Sequence, residues 1–168
     1  MIFATVGTHE QPFNRLIEYI DKLKKDGVIT EDVIIQTGFS TYEPKYCKWS
    51  KLLLYKEMEK NVKDAHIVIT HGGPASFIMP LQIGKTPIVV PRQHQFGEHV
   101  NDHQVDFVKA VSERMGTIIP VIDIEELQDK IENYDSIVAS MPSGINSNNA
   151  EFNRNFEKMI REMFPSEI

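Results

Sequence analysis

Short runs of β-branched and other apolar residues alternate along the chain with longer segments whose apolar residues recur at helical spacing. The predicted strands are 2–6, 33–37, 51–55, 66–70, 87–91 and 117–121. The predicted helices are 13–27, 56–65, 75–85, 98–116 and 123–138. Several strand runs are apolar on both faces, which is typical of buried parallel strands. This alternation predicts an α/β fold built on a doubly wound parallel, Rossmann-like sheet.

The composition of the chain changes near residue 138, which suggests how it is organised. A chain of 168 residues is expected to form one domain, here 1–138. The polar, turn-rich stretch 139–149 is interpreted as a linker. It leads to a last segment, 150–168, in which a helix carries its apolar residues near one face. We expect this helix to fold back on the domain or to dock on a partner.

Charge and cysteine content narrow the function classes. The formal net charge of −6 argues against a nucleic-acid partner, and an anionic membrane surface would repel the chain unless a partner held it there. The single cysteine, Cys47, allows no internal disulfide and fits a reducing compartment. The first residues lack the pattern of a signal peptide, and no apolar run is long enough to span a bilayer. We therefore expect a cytoplasmic protein.

A tight turn, HGGPAS, follows the predicted strand 66–70. Gly72 and Gly73 would let backbone N–H groups approach a ligand closely, and Pro74 suits the first turn of the next helix. The free amides of that helix start form an anion site, to which Ser76 could add a hydroxyl. His71 could be a core histidine or a donor to a phosphate or sugar. A Gly-Gly turn can also be purely architectural, and both interpretations stay open.

A second turn of this kind, GTHEQPF, follows the first predicted strand. It matches neither a dinucleotide fingerprint nor a P-loop. Parallel sheets bind ligands outside the carboxyl ends of their strands, so the two turns should face one crevice, where together they suit a diphosphate. His9 stands in this turn and could contact an oxyanion, act as a base or be structural.

The histidines at 94, 99 and 103 raise the question of a metal site. His99 and His103 are spaced i,i+4 on the predicted helix, as zinc ligands often are. No cysteine is nearby and the HExxH motif is absent. A hydrogen-bonding polar cluster is the favoured interpretation, and no metal is expected.

Taken together, four motifs resemble a known family: TVGTHEQPFNRLI, IQTGFS, ITHGGPASF and VVPRQHQFGEHVNDHQVDF. They are similar to the nucleotide-sugar-binding half of the GT-B glycosyltransferases of family 28. Within that family they resemble the small bacterial capsule and exopolysaccharide transferases, in particular streptococcal capsular β-1,4-galactosyltransferase subunits. The likeness covers residues 1 to about 120 by motif.

The resemblance implies a catalytic, donor-binding subunit of a two-part inverting glycosyltransferase. The enzyme would move galactose, in a β-1,4 linkage, from a UDP-sugar to a lipid-diphosphate-linked saccharide in capsular or exopolysaccharide synthesis. A membrane-associated, Rossmann-like subunit would bind the acceptor and hold the chain at the inner face of the cell membrane. No metal cofactor is implied, which agrees with the absence of a DxD triplet.

Other functions stay open beside this one. The donor could be UDP-glucuronic acid or UDP-N-acetylglucosamine, since no motif resolves the sugar. The chain could also be a non-catalytic, UDP-sugar-binding regulatory subunit. An unrelated doubly wound enzyme, NAD-linked or a phosphatase, is a further alternative, although the motifs of both are missing.

The resemblance also implies roles for individual residues. The first turn, Gly7, Thr8 and His9, would line the diphosphate and the reaction centre, with His9 as the base unless the partner supplies it. The second turn and its helix start would hold the pyrophosphate through Gly72, Gly73, Pro74, Ala75 and Ser76, and His71 is a further donor-binding candidate. Leu54 and Tyr55 would border the uracil, and His103 with Gln104 would contact the donor sugar. The remaining donor-binding candidates are Gly38, Arg92, Glu98, His99 and Asn101.

One position departs from the family pattern. Relatives commonly carry a glutamate for the ribose hydroxyls about eight residues past the turn histidine, where this chain has Met79 and Pro80. Ribose binding must then use other groups, and Glu98 is a candidate substitute.

Overall fold

Six parallel strands form the centre of the protein in a computed structural model that describes residues 1–141, 154, 158, 161 and 162. The strands are β1 (Ile2–Thr5), β2 (Val33–Gln36), β3 (Lys48–Ser50), β4 (Ile67–His71), β5 (Ile88–Val90) and β6 (Ile119–Pro120). Their order across the sheet is β3-β2-β1-β4-β5-β6, and each neighbouring pair is parallel. The predicted α/β, doubly wound Rossmann-like fold is confirmed.

Helices cover both faces of this sheet. They are α1 (Asn14–Lys25), α2 (Tyr55–Asp64), α3 (Pro74–Gln82), α4 (His103–Met115), α5 (Leu127–Glu132) and α6 (Tyr134–Ser140). Because side chains alternate along a strand, Ile2 and Ala4 pack with α1, α5 and α6, whereas Phe3 packs with α2 on the other face. The side chains of β5 alternate in the same way, and Val89 packs with α3 and α4. Both faces are therefore buried.

The predicted strand 51–55 is wrong. The third strand is Lys48–Ser50, and residues 51–54 leave the sheet before α2 begins at Tyr55. Strand β3 lies at the edge of the sheet, where Lys48 and Trp49 are exposed, so it lacks the apolar run of a buried strand. The leucines that suggested a strand belong instead to the crevice described below.

Two predicted helices are shorter than the pattern suggested. A 3₁₀ turn (His94–Phe96) and the left-handed Gly97 precede α4, which begins only at His103. His99 therefore lies outside that helix, so His99 and His103 are not spaced i,i+4 on one helix face. The predicted helix 123–138 is a 3₁₀ turn (Ile124–Glu126) followed by α5 and α6, with Asn133 between the two helices.

The C-terminal predictions are only partly covered by the described residues. Helix α6 continues to Ser140, so the first two residues of the predicted linker 139–149 are helical. Residues 142–149 of the linker lie outside the described residues. So does most of 150–168, in which Arg154, Lys158, Arg161 and Glu162 are described and helical. The domain division stays a prediction. In the part of the chain that is described, no helix is long and apolar enough to cross a bilayer.

Candidate functional site

The centre of the sheet has a topological switch point between β1 and β4. From these neighbours the chain continues outward in opposite directions, to β2 on one side and β5 on the other, so the turns at their carboxyl ends diverge and leave a crevice. A cavity of about 330 Å³ opens there. It is lined by Thr5, Gly7, Thr8, His9, Gln36, Leu52, Leu53, Met58, His71, Gly73, Pro74, Ala75, Ser76 and Gln104. The structure thus brings together the two turns that the sequence predicted to face one crevice.

His71 occupies the floor of this crevice, between the two turns. Its side chain is only 7% exposed. A Cβ atom added to Gly7 or to Gly73 would overlap the imidazole, and Gly7 also has a left-handed backbone with φ of 76°. Glycine is therefore required at both positions because any side chain there would displace the imidazole of His71. The expectation that the N–H groups of Gly72 and Gly73 approach a ligand is not met, because Gly72 donates to Gln104 Oε1 and Gly73 to His71 Nδ1, both at 3.1 Å.

The hydrogen bonds of His71 define its protonation state. Its Nδ1 accepts the Gly73 N–H at 3.1 Å, and its Nε2 lies 2.8 Å from Ser76 Oγ. Burial, with a smaller effect of the Arg92 charge, lowers the pKa of His71 to about 3, so the ring is neutral. With Nδ1 an acceptor, the proton is on Nε2 and is donated to Ser76. The Ser76 hydroxyl, already accepting, is left to donate its own hydrogen to another group.

His9 lines the cavity from the first turn. Its Nδ1 accepts the Gln11 N–H at 3.3 Å, and its ring meets the ring of His99 edge to face at a centroid distance of 4.8 Å. Burial and then the Arg92 charge lower the pKa of His9, while Glu10 opposes them. His9 is therefore predominantly neutral at neutral pH.

Arg92 lies behind the cavity and does not line it. The side chain is fully buried, and its guanidinium donates to the carbonyl oxygens of Gln11 at 2.6 Å, Val6 at 2.7 Å and Glu98 at 3.1 Å. Burial lowers the pKa of Arg92 to about 10, which leaves it charged. Arg92 thus holds the first turn in place and contributes positive charge near the cavity. Because its guanidinium is engaged with these carbonyl oxygens, a direct contact between Arg92 and the sugar nucleotide does not fit this arrangement.

Glu98 also lies outside the cavity. Its buried carboxylate accepts from Arg15 Nε and Nη2, both at 3.0 Å, and from the Gln93 N–H at 3.0 Å. These bonds make Glu98 a link between α1 and the turn after β5. They argue against the idea that it replaces the missing ribose-binding glutamate.

Gln104 connects the exits of β4 and β5. Its Oε1 accepts the N–H groups of Gly72 at 3.1 Å and Arg92 at 3.0 Å, and it contributes to the cavity wall. A Cβ on Gly72 would lie 3.0 Å from Gln104 Cβ, so Gly72 is packed against this side chain and not against the cavity. His103 and Asn101 do not line the cavity either. Asn101 Oδ1 accepts the His103 N–H at 3.0 Å, at the start of α4.

One end of the cavity is apolar. Leu52, Leu53 and Met58 line it, and Leu53 and Met58 also pack on the cluster that contains Phe3. Met79, at the position of the missing glutamate, packs on the same cluster. Leu54 and Tyr55, predicted to border a base, are 73% and 69% exposed and do not line the cavity. The residues that do line the cavity, Leu52, Leu53 and Met58, lie immediately before and one turn after them, and the contact of Leu54 and Tyr55 with a base stays a prediction.

Sequence reasoning also missed Gln36 and Thr5. Gln36 accepts from the Thr5 hydroxyl and donates to the carbonyl oxygens of Gly7 at 3.2 Å and Lys51 at 2.9 Å. A polar residue at the end of each of two apolar strands was the available signal. Gly38, predicted to bind the donor, is buried beside this network, where a Cβ would overlap the Gly7 carbonyl oxygen. Gly38 allows the second strand exit to pack against the first.

The sequence analysis considered His94, His99 and His103 as possible metal ligands. Among the residues that the structure describes, no group of three or more His, Cys, Asp or Glu side chains is placed to hold a metal ion.

Comparison with known proteins identifies one family. The model of the glycosyltransferase family 28 C-terminal domain matches residues 1–162. No curated protein matches the chain. Among solved structures, the glycotransferase of kitacinnamycin aligns with a TM-score of 0.53 and 16% identity over 96% of this chain and 39% of that one, which shows a shared fold.

A second solved structure aligns with a lower score. The glycosyltransferase SnogD from Streptomyces nogalater aligns with a TM-score of 0.49 and 12% identity over 92% of this chain and 43% of that one. The present chain thus spans about two fifths of the length of both proteins.

Proposed function

Because the chain belongs to the family of the glycosyltransferase family 28 C-terminal domain, we propose that it is the donor-binding, catalytic subunit of a two-part inverting glycosyltransferase that uses a UDP-sugar. The observation that supports this most directly is the cavity at the β1–β4 switch point, which has a polar end with anion-binding groups and an apolar end. An elongated ligand with a diphosphate and a base suits such a cavity.

The polar end is suited to a diphosphate. At the start of α3, Pro74 has no N–H and Ser76 donates its N–H to the Gly73 carbonyl oxygen at 3.1 Å, which leaves the Ala75 N–H for a ligand. The positive end of the helix dipole adds to this donor. Ser76 supplies the hydroxyl that His71 leaves free to donate. Among the described residues lining the cavity none is a carboxylate, and the charged Arg92 lies behind the first turn. Although the chain has a net charge of −6, the charges around this cavity favour the binding of an anion.

The apolar end is suited to the nucleobase. Leu52, Leu53 and Met58 offer a surface against which a flat ring can be buried. The polar and apolar ends share one cavity of about 330 Å³, within the usual size of small-ligand sites. On this proposal uracil contacts Leu52, Leu53 and Met58, and the exposed Leu54 and Tyr55 lie beside it.

The proposed transfer reaction builds up negative charge on the leaving diphosphate. The acceptor hydroxyl attacks the anomeric carbon, the bond from that carbon to the UDP oxygen breaks, and negative charge grows on the departing diphosphate. Donors already aimed at that position stabilise the transition state without reorganising. We assign this role to the Ala75 N–H at the start of α3, the Ser76 hydroxyl and the first turn, and propose that they act without a metal ion.

The finer assignments rest on the motif likeness. We propose galactose in a β-1,4 linkage as the transferred sugar and a lipid-diphosphate-linked saccharide as the acceptor, in capsular or exopolysaccharide synthesis. A membrane-associated, Rossmann-like subunit would bind that acceptor and hold the chain at the cytoplasmic face of the membrane.

Thermal unfolding of the purified chain tests the donor assignment. The ligands are UDP, UDP-galactose, UDP-glucuronic acid, UDP-N-acetylglucosamine and, as a control, NAD. Ligand at 100 times its dissociation constant adds roughly 2.7 kcal/mol, which raises the melting temperature of a domain this size by about 5–10 °C. A shift with UDP and a UDP-sugar but not with NAD is expected. A shift with NAD alone, or with no nucleotide, contradicts the proposal.

A further inference from the structure

Three histidines around the crevice share one local hydrogen-bonding pattern. In each, Nδ1 accepts the backbone N–H of the residue two positions later: Gln11 to His9 at 3.3 Å, Gly73 to His71 at 3.1 Å and Asn101 to His99 at 3.4 Å. His9 and His99 follow β1 and β5, and His71 is the last residue of β4. The pattern therefore belongs to the backbone of the turns after these strands and is present without a ligand.

This pattern determines which ring nitrogen carries the proton. A neutral imidazole has one N–H and one acceptor nitrogen, so a ring that accepts at Nδ1 carries its proton on Nε2. For His71 that proton goes to Ser76. His9 lines the cavity, so its Nε2–H is the group that can donate a hydrogen bond to a bound molecule.

A base for the acceptor hydroxyl needs the opposite arrangement. The nitrogen facing the hydroxyl would have to be unprotonated, with the proton held on the far nitrogen. In His9 the far nitrogen, Nδ1, is occupied by the Gln11 N–H, and moving the proton there would break that bond. The edge-to-face contact with His99 further restrains the His9 ring against flipping.

We infer that His9 serves the reaction as a neutral hydrogen-bond donor, through Nε2–H, to the diphosphate of the sugar nucleotide, and not as the base for the acceptor hydroxyl. This inference rests on the proposed function. The acceptor proton then passes to a base contributed from the acceptor side, while the electron pair of the broken glycosidic bond goes to the UDP oxygen that His9 helps to stabilise. His9 is thus a catalytic residue of the leaving-group side.

The tautomer can be measured without any ligand. In ¹⁵N-labelled protein, long-range proton–nitrogen correlation spectra distinguish the two neutral imidazole tautomers, and a His9→Ala sample identifies the signal of His9. The expected result is the Nε2–H form at pH 7.5. The Nδ1–H form would overturn the inference whatever the protein binds.

Two substitutions test the role. The amide nitrogen of glutamine can occupy the place of Nε2, whereas that of asparagine lies nearer Nδ1, and neither is basic. His9→Gln should keep UDP affinity within about threefold of wild type, whereas His9→Asn and His9→Ala should lose about tenfold, the usual effect of removing one hydrogen bond to a charged group. Calorimetric titration with UDP measures this, and circular dichroism checks that each variant is folded.

Transfer by the complex with its acceptor-binding subunit separates a donor from a base. His9→Gln should retain more transfer activity than His9→Ala by about tenfold, because glutamine replaces the donor. Equal loss in both variants, or UDP affinity in His9→Gln as low as in His9→Ala, would overturn the inference. If the wild-type chain binds no UDP, the proposed function fails instead, and the tautomer measurement still stands.

Discussion

Gly7 lies so close to the imidazole of His71 that a Cβ on the glycine would overlap Nε2 of the ring. Gly7 lies in the turn after β1, and His71 is the last residue of the neighbouring strand β4. Their contact joins the halves of the doubly wound sheet at the switch point. It also places the His71–Ser76 hydrogen bond at the bottom of the cavity.

Gly7→Ala should therefore destabilise the protein more than an ordinary glycine substitution. The left-handed backbone at Gly7, φ 76°, costs an alanine roughly 1 kcal/mol, and displacement of the buried ring adds at least as much again. Gly27→Ala is the matched control, since Gly27 has φ of 77° but open space around it. Urea unfolding measures both variants. Equal losses of unfolding free energy would show that His71 is not held in this way.

Stability should fall as the pH is lowered below about 6.5, because of His71. The pKa of His71 in the folded state, about 3, lies far below its value in the unfolded state. Below pH 6.5 the unfolded state therefore binds a proton at this residue and the folded state does not. At pH 5 this costs on the order of 2 kcal/mol of unfolding free energy relative to pH 8.

His66 acts in the opposite sense and has to be separated from this effect. Its carboxylate partners Asp135 and Glu31 raise its pKa, so its contribution is present at low pH and lost as the pH rises. The measurement is therefore the difference between wild type and His71→Asn, which keeps His66. The variant should lose less stability between pH 8 and pH 5. Parallel curves would mean that His71 is not buried in its neutral form.

The apolar end of the cavity should be specific for the base. Met58→Ala removes apolar surface worth about 1 kcal/mol, so UDP should bind roughly fivefold more weakly while inorganic pyrophosphate is unaffected. Ile83→Ala, at an exposed position after α3, is the control. Competition of both ligands with a fluorescent UDP analogue measures the affinities. Equal weakening of UDP and pyrophosphate would place the base elsewhere.

Glu98→Gln should affect stability and leave ribose recognition unchanged. The substitution weakens the buried ion pair with Arg15, which should lower the unfolding free energy by about 2 kcal/mol. The preference for UDP over 2′-deoxy-UDP should stay as in wild type, because Glu98 does not line the cavity. A variant that binds the two nucleotides alike would instead identify Glu98 as a ribose ligand.

The fold was predictable because its cause is local. Runs such as 2–6 and 66–70 are apolar throughout, and the helices between them have clear periodicity, so the parallel sheet and its carboxyl edge followed. The glycine turns at Gly7 and Gly72–Gly73 could be placed at that edge for the same reason. Strand β3 was misplaced because an exposed edge strand has no apolar signature, whereas the cavity leucines that follow it do.

The roles of individual side chains were less predictable because they depend on contacts between distant parts of the sequence. Arg92 was expected to contact the donor, but it bonds the carbonyl of Val6, which is 86 residues away in the sequence. The protonation of His9 and His71 depends on hydrogen bonds to the backbone of a folded turn. A motif gives the residue types, and only the folded turn determines which nitrogen carries the proton.

UDP binding to wild type and to Ser76→Ala, measured by isothermal titration calorimetry, is the most direct test that the switch-point cavity holds a sugar nucleotide. Ser140→Ala, on an exposed position of α6, is the matched control. Wild type and the control should bind one UDP per chain, with Ser76→Ala at least about tenfold weaker, since a hydrogen bond to a charged diphosphate is lost. No binding by wild type, or equal affinity in Ser76→Ala, would contradict the assignment of this cavity.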